Sequence, residues 1–289
     1  MTIWSGPGRR LCVAATLLLQ AYPASAGETA APPAAAQAAS PAAAPGAAQA
    51  AQGGASFVEL FSTLNERRWY VSDGWVNGDW QGCTWSKHRA RIATPGELSL
   101  SLTDITYKER PFSCAEIQTR ERYGYGTYEV RMRAGTGSGM VSAFFTYNGP
   151  ENGDRRTNDE IDFEWLGKDT SKVQLNYFVG GVGEHVSLDA LGFDAATTTA
   201  DYAFEWLPDR LRWYVNGRLL REVVGTPDRP LPSHPSKIML SVWSGQGPDF
   251  ASWLGPTEYS GQPVTALFER VAFTRMGDPC GFKESIVCR

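Results

Sequence analysis

Residues 159 to 165 read Asp159-Glu160-Ile161-Asp162-Phe163-Glu164-Trp165, and the strict alternation of acidic and large apolar residues decides how the chain is read. Side chains on a strand point alternately to its two faces. As a strand, this heptapeptide turns Ile161, Phe163 and Trp165 into a core and gathers Glu160, Asp162 and Glu164 on the other face. Like charges at that spacing repel and destabilise a strand, and no Lys, Thr or Ser relieves them here. Four residues of strand place the Cα atoms of Glu160 and Glu164 roughly 13 Å apart. Two long side chains leaning inward on a curved sheet bring their carboxyls much closer, and the shorter Asp162 leaves room between them. A retaining glycosidase uses two carboxyl groups about 5 to 5.5 Å apart, one attacking the anomeric carbon and one protonating the leaving oxygen. The bland competitor is an idle acidic strand or a cation site. The residues alone do not decide which Glu attacks.

Outward from this segment, aromatic and β-branched runs recur between Gly, Asn, Asp and Pro, and no long stretch carries a helical period. Expected strands include Gly126–Arg133, Val141–Tyr147, Glu160–Leu166, Lys172–Val179, Tyr202–Trp206, Leu211–Val215, Ile238–Trp243 and Ala266–Thr274. Asn216-Gly217 supplies the positive φ angles of a type I′ hairpin turn. Many strands with turn punctuation predict an all-β domain, a β-sandwich or jelly roll. Among the 10 Trp and 11 Tyr, Trp75, Trp80, Trp85, Tyr147, Trp243 and Trp253 sit among Gly, Asn, Asp and Ser, where a ring has no evident core to fill. Aromatic faces beside polar groups suit sugar rings. Trp206 and Trp213 lie inside apolar strand patterns and belong to the core.

The first residues are not read as part of this fold. Arg9-Arg10, the apolar run Leu11–Leu19 and Ala24-Ser25-Ala26 predict a secretory signal peptide over 1–26. That run is too short to span a bilayer, so the chain is expected to be secreted or periplasmic, with no membrane contact after processing. Residues 27–54, almost all Ala, Pro, Gln and Gly, read as a spacer that cannot bury a core. Residues 55–276 are expected to form the catalytic domain and 277–289 a tail. Loss of Arg9 and Arg10 takes the net charge from −4 to −6, a poor balance for binding nucleic acid. The four cysteines outside the signal segment predict disulfides in an exported protein, and their grouping favours Cys83–Cys114 and Cys280–Cys288. With His88, His185 and His234 as the only histidines and no H-E-x-x-H, metal-dependent hydrolysis has little support.

Taken together, these residues resemble the glycoside hydrolase family 16 β-glucanases from about Phe57 to Phe273. Beyond Glu160-Ile161-Asp162-Phe163-Glu164, the resemblance rests on Cys114-Ala115-Glu116, Tyr123-Gly124-Tyr125-Gly126-Thr127-Tyr128-Glu129, Phe144-Phe145-Thr146-Tyr147, Leu166-Gly167-Lys168-Asp169-Thr170 and Trp253-Leu254-Gly255. The catalytic strand resembles the lichenase branch, because the laminarinase branch usually inserts a residue before the last Glu. Ser72-Asp73-Gly74-Trp75, Glu116-Ile117-Gln118-Thr119-Arg120 and the Cys280–Cys288 tail look like secreted glycanases that shorten the exopolysaccharide succinoglycan. Asn158 and Gln118 depart from plant-glucan lichenases, which tend to have Trp and Arg there.

The resemblance implies a jelly-roll β-sandwich of two curved antiparallel sheets with a substrate cleft on the concave face. It implies Glu160 as nucleophile, Glu164 as general acid/base and Asp162 as the residue that orients and tunes them. It further implies cleft roles for Asn77, Glu116, Tyr147, Asn176, Trp243 and Trp253, no cofactor in catalysis, and a structural calcium near Gly96 and Glu269. The expected protein is a monomeric endo-β-glycanase acting on β-glucan or exopolysaccharide. A non-catalytic carbohydrate-binding jelly roll is the alternative, but a lectin has no use for three aligned carboxylates. Another hydrolase class finds no support, since no G-x-S-x-G occurs and neither Gly135–Gly139 nor Gly180–Gly183 fits a catalytic or phosphate-binding pattern.

Overall fold

A computed structural model describes residues 53–149, 154–183 and 185–287. The expected signal peptide, most of the expected spacer and Cys288 lie outside them. The strands in chain order are β1 (Phe57–Glu59), β2 (Trp69–Val71), β3 (Cys83–Trp85), β4 (Ala90–Thr94), β5 (Glu97–Leu102), β6 (Phe112–Thr119), β7 (Gly126–Arg133), β8 (Met140–Asn148), β9 (Asp159–Leu166), β10 (Lys172–Phe178), β11 (Ser187–Ala190), β12 (Ala200–Trp206), β13 (Arg210–Val215), β14 (Arg218–Val224), β15 (Lys237–Ser244) and β16 (Val264–Arg275). A seven-residue helix, α1 (Pro248–Leu254), interrupts them before β16.

These strands form two eight-stranded sheets. One runs β14-β13-β12-β7-β16-β5-β4 with β1 added on β16; the other runs β11-β10-β9-β8-β15-β6-β2 with β3 added on β6. Hairpin neighbours such as β8–β9–β10–β11 and β12–β13–β14 alternate with pairs distant in sequence such as β7–β16 and β6–β15, all antiparallel apart from β3–β6, which is the two-sheet jelly roll that the sequence predicts. The alternation of β9 is realised as read: Ile161, Phe163 and Trp165 are buried between the sheets, while Glu160, Asp162 and Glu164 face away from that core. An aromatic ladder joins the layers. Phe163 stacks on Trp165 at 5.7 Å, Trp165 meets Tyr202 of β12 edge-on at 4.6 Å, and Phe144 of β8 lies 5.5 Å from Phe204. Such pairs contribute about 0.5–1.5 kcal/mol each beyond their area burial. Trp206 and Trp213 are fully buried, as expected. The Trp213 indole of β13 crosses the sandwich to donate to the main-chain carbonyl of Asp162 at 3.2 Å.

Local chemistry sets the connections. Asn216 and Gly217 have φ of 49° and 81°, the left-handed pair that lets Val215 and Arg218 face each other across a two-residue hairpin. Helix α1 starts with Pro248 in its first turn, too short a helix to show a period in sequence. It covers Val141 and Leu166, which point to the same side as Glu164, with Leu254 and the half-buried Phe250 and Trp253. At the other end of the domain, the tail lies on the outer sheet: Ser285 Oγ and the Ile286 amide donate to the Glu129 carboxylate at 2.6 and 3.0 Å, and Arg270 lies 4.8 Å over the Phe282 ring. No helix among the described residues is long and apolar enough to cross a membrane.

The Cys83–Cys114 disulfide is formed, with the Cα atoms 5.8 Å apart, and it staples β3 to β6 where these run parallel. The expected partner of Cys280 lies outside the described residues. Closing a loop across a separation of 31 residues stabilises the fold by about 3 to 4 kcal/mol in the chain-entropy account. A Cys83→Ala/Cys114→Ala protein is therefore expected to melt roughly 10 °C lower, and calorimetry of the two proteins in non-reducing buffer checks it.

Candidate active site

Strand pairing turns the outer face of the second sheet into rungs of side chains. Glu160 of β9 stands opposite Tyr147 of β8, which stands opposite Lys237 of β15; on the other flank it meets Phe178 of β10. The next rung is Asn176, Asp162, Phe145, Met239 and Gln118, and the next is Gln174, Glu164, Ala143, Ser241 and Glu116. The register of β9 runs unbroken on both sides, in keeping with the absence of an inserted residue before Glu164. Apart from Asn176 and Gln174, these residues floor an open cleft of about 770 Å³ lined by the whole acidic trio.

One wall of the cleft is aromatic. Trp80 stacks on Phe250 of α1 with ring centres 5.2 Å apart and planes 6° from parallel, and it meets Trp243 at 5.3 Å. Trp243 in turn lies 6.0 Å from Trp253. Trp75 and Trp80 are each 38% exposed, so part of each ring is open to a ligand. Of the residues expected here, Asn77, Glu116, Tyr147, Trp243 and Trp253 line the cleft. Asn176 does not line it; it is buried beside Asp162, its register partner. Trp85 edges the cleft too, but at 1% exposure its ring is packed into the core. Its indole nitrogen reaches Asn77 Oδ1 at 3.5 Å.

Burial governs the electrostatics. Glu160 is pushed up to about 8, first by desolvation and then by the charge on Glu164. Asp162 is raised well above the ordinary carboxylate range by desolvation and by both neighbouring Glu charges. Glu164 rises to about 7 through desolvation, opposed by Gln174, whose Nε2 donates to Glu164 Oε2 at 2.6 Å. The trio therefore holds protons that exposed carboxylates would have lost, the condition for one carboxyl to act as an acid while another acts as a base. Gln174 is in turn held by the Trp253 indole at 2.9 Å. Glu116, buried at 2% exposure, is raised to about 7 by desolvation and accepts hydrogen bonds from Ser72 at 2.6 Å and Gln118 at 3.4 Å. Asn158 Oδ1, Asn176 Oδ1 and Ser241 Oγ are buried without a protein hydrogen-bond partner.

Two carboxyls flanking a shorter third, in a cleft walled by Trp and Phe, is the arrangement of a polysaccharide hydrolase, and the chain's relatives agree. Residues 77–261 match the family model of glycosyl hydrolases family 16. The chain belongs to this family. This glycoside hydrolase is 47% identical over 235 residues, 81% of its length and 84% of the relative's, to endo-1,3-1,4-beta-glycanase ExoK of Rhizobium meliloti (strain 1021). It is 42% identical to a beta-glucanase of Bacillus amyloliquefaciens, covering 78% of the hydrolase and 90% of that protein. Among solved structures, the Bacillus licheniformis beta-glucanase superposes with a TM-score of 0.71 at 42% identity, over 77% of this hydrolase and 99% of that chain.

Gln174, Phe250 and Lys237 are cleft residues or their supports that the sequence did not single out; register and α1 bring them to the site. The calcium expectation fares differently. The Glu269 carboxylate is engaged by Arg131 at 2.8 Å rather than presented to a cation, and no group of three His, Cys, Asp or Glu side chains suited to a metal occurs among the described residues.

An acid whose folded value is raised binds its proton more tightly in the folded state, so its contribution to stability is complete below the unfolded value and is lost as pH rises through the folded one. For Glu160 that window runs from 4.5 to about 8. Glu160→Gln is expected to melt above the parent protein on the alkaline side of this window and to converge with it on the acid side. Thermal melts across the pH range check both limbs.

Proposed function

We propose that the hydrolase is a retaining endo-β-glycanase of β-1,3-1,4-glucan-type polysaccharide, a bacterial exopolysaccharide such as succinoglycan included. The observation that carries this reading is the single unbroken strand that presents Glu160 and Glu164 to the cleft with Asp162 between them. The relatives named above support the linkage class. An open cleft suits internal cleavage of a long chain, with the aromatic wall gripping sugars in succession.

In this reading Glu160 attacks the anomeric carbon, Glu164 protonates the departing oxygen and then activates water, and Asp162 orients and tunes both. Burial raises both Glu160 and Glu164, so the pair holds a proton in common; the roles place it on Glu164, toward the leaving oxygen, and leave Glu160 ionised for attack. Because the chemistry needs one shared proton, kcat/KM is expected to fall on the alkaline side between about 7 and about 8.

The chain organisation belongs to the same proposal: a signal peptide over 1–26, a spacer over 27–54, the catalytic domain over 55–276 and a tail over 277–289, acting as a secreted or periplasmic monomer. A structural calcium near Gly96 and Glu269 would have to compete with Arg131 for the Glu269 carboxylate.

Glu160→Gln is expected to abolish hydrolysis of mixed-linkage β-glucan while the protein stays folded, because an amide cannot form the glycosyl–enzyme ester. Glu164→Ala should recover part of its lost turnover with added azide, releasing a β-glycosyl azide. NMR of the first products should show retained configuration. Rescue at Glu160 with inverted azide product, and none at Glu164, would exchange the two roles; turnover by folded Glu160→Gln protein would remove the assignment.

A further inference from the structure

Lys237 opens β15 and lines the cleft. Through the rung Glu160–Tyr147–Lys237 its Cα lies two strand spacings, roughly 10 Å, from that of Glu160. Trp243, on the aromatic wall, is six residues further along the same strand, roughly 20 Å away. Lys237 thus marks the end of the cleft opposite α1. Its ammonium donates to Gln118 Oε1 at 2.6 Å, and Gln118 is itself tied to Glu116 and to Ser72 Oγ at 3.4 Å. Arg122 lines the same part of the cleft, with Nη1 3.5 Å from the Pro235 carbonyl.

Basic side chains gather at this corner, in a chain whose net charge is −4. The Lys237 ammonium is held below its ordinary value by desolvation first and by the Arg122 guanidinium next, with Arg120 adding and Glu116 opposing. Glu116, itself raised to about 7 by burial, opposes the two arginines. A half-buried ammonium that has given one of its three donors to an amide oxygen has donors left for an anion. A carboxylate arriving there forms charge-assisted hydrogen bonds, stronger than those a sugar hydroxyl offers.

We infer that this corner of the cleft, Lys237 with Arg122 beside it and Gln118 beneath it, is a subsite for a carboxylate-bearing substituent on the polysaccharide. The inference rests on the glycanase reading and adds to it the chemical class of decoration that the cleft accepts. Lys237 is the discriminating group, Gln118 holds it in place, and Glu116 anchors Gln118.

The test compares carboxymethylated and unsubstituted mixed-linkage β-glucan of matched chain length. Lys237→Gln is expected to lower the ratio of kcat/KM on the carboxymethylated polymer to that on the unsubstituted one by about tenfold, the loss of one charged hydrogen bond, and Lys237→Arg to restore most of it. Added salt should weaken the preference of the unaltered protein and leave the Gln variant insensitive. Equal losses on both polymers, the result of a merely structural role through Gln118, would overturn the subsite, as would an unchanged ratio. Binding of both polymers to Glu160→Gln protein, with and without Lys237→Gln, reads the same preference without turnover. A Lys237-dependent preference in binding, with no hydrolysis of either polymer by the unaltered protein, would retain the subsite and remove the glycanase reading instead.

Discussion

Everything at the cleft depends on the two-sidedness of β9. One face of an eight-residue strand supplies Ile161, Phe163 and Trp165 to the core, and the other supplies the three carboxylates. Because side-chain period in a strand is two, a slip of one residue would bury the acids and expose the rings. The core ladder therefore fixes the chemistry: the same contacts that hold Phe163 and Trp165 against Tyr202 and Phe204 hold Glu160 and Glu164 toward the sugar. The Trp213 indole on the Asp162 carbonyl pins that register from the opposite sheet.

This arrangement opposes stability where it serves reactivity. Carboxyls driven up by desolvation and mutual repulsion sit in the folded protein at a cost that a solvated strand would not carry. The offset comes from elsewhere, through the aromatic layers between the sheets and the Cys83–Cys114 staple. Function and stability are thus divided between two faces of the same sheet, which is why substitution of an acid and substitution of a ring are expected to act in opposite senses.

The strong strands were legible because each carries either clean alternation or a long β-branched and aromatic run, as in Gly126–Arg133 and Glu160–Leu166. Strands β1, β2 and β3 have three residues each, too few for a period to register. Helix α1, with seven residues just under two helical turns, was equally silent, so Trp253 was read in a loop; it stands on α1 and lines the cleft. Trp85, read in a loop or at a strand end, closes β3 and edges the cleft, but the disulfide and the parallel β3–β6 pairing bury its ring. Gln174 and Lys237 are unremarked polar residues in otherwise ordinary strands. Their importance lies in cross-strand register, which no local window contains.

The strand order also determines what the molecule presents at its margins. The unpaired rims of the two sheets are β11 with four residues, β2 with three, β4 with its register shift and β14 with Arg218, Arg221 and Glu222. Short, irregular or charged rims are poor templates for another chain to extend. Two broad sheets rich in exposed main-chain donors and acceptors at their ends would otherwise invite edge-to-edge growth. Here that route is blunted on all sides, and the aromatic surface left open for contact is turned into the cleft, where a polymer of sugars rather than another polypeptide fits.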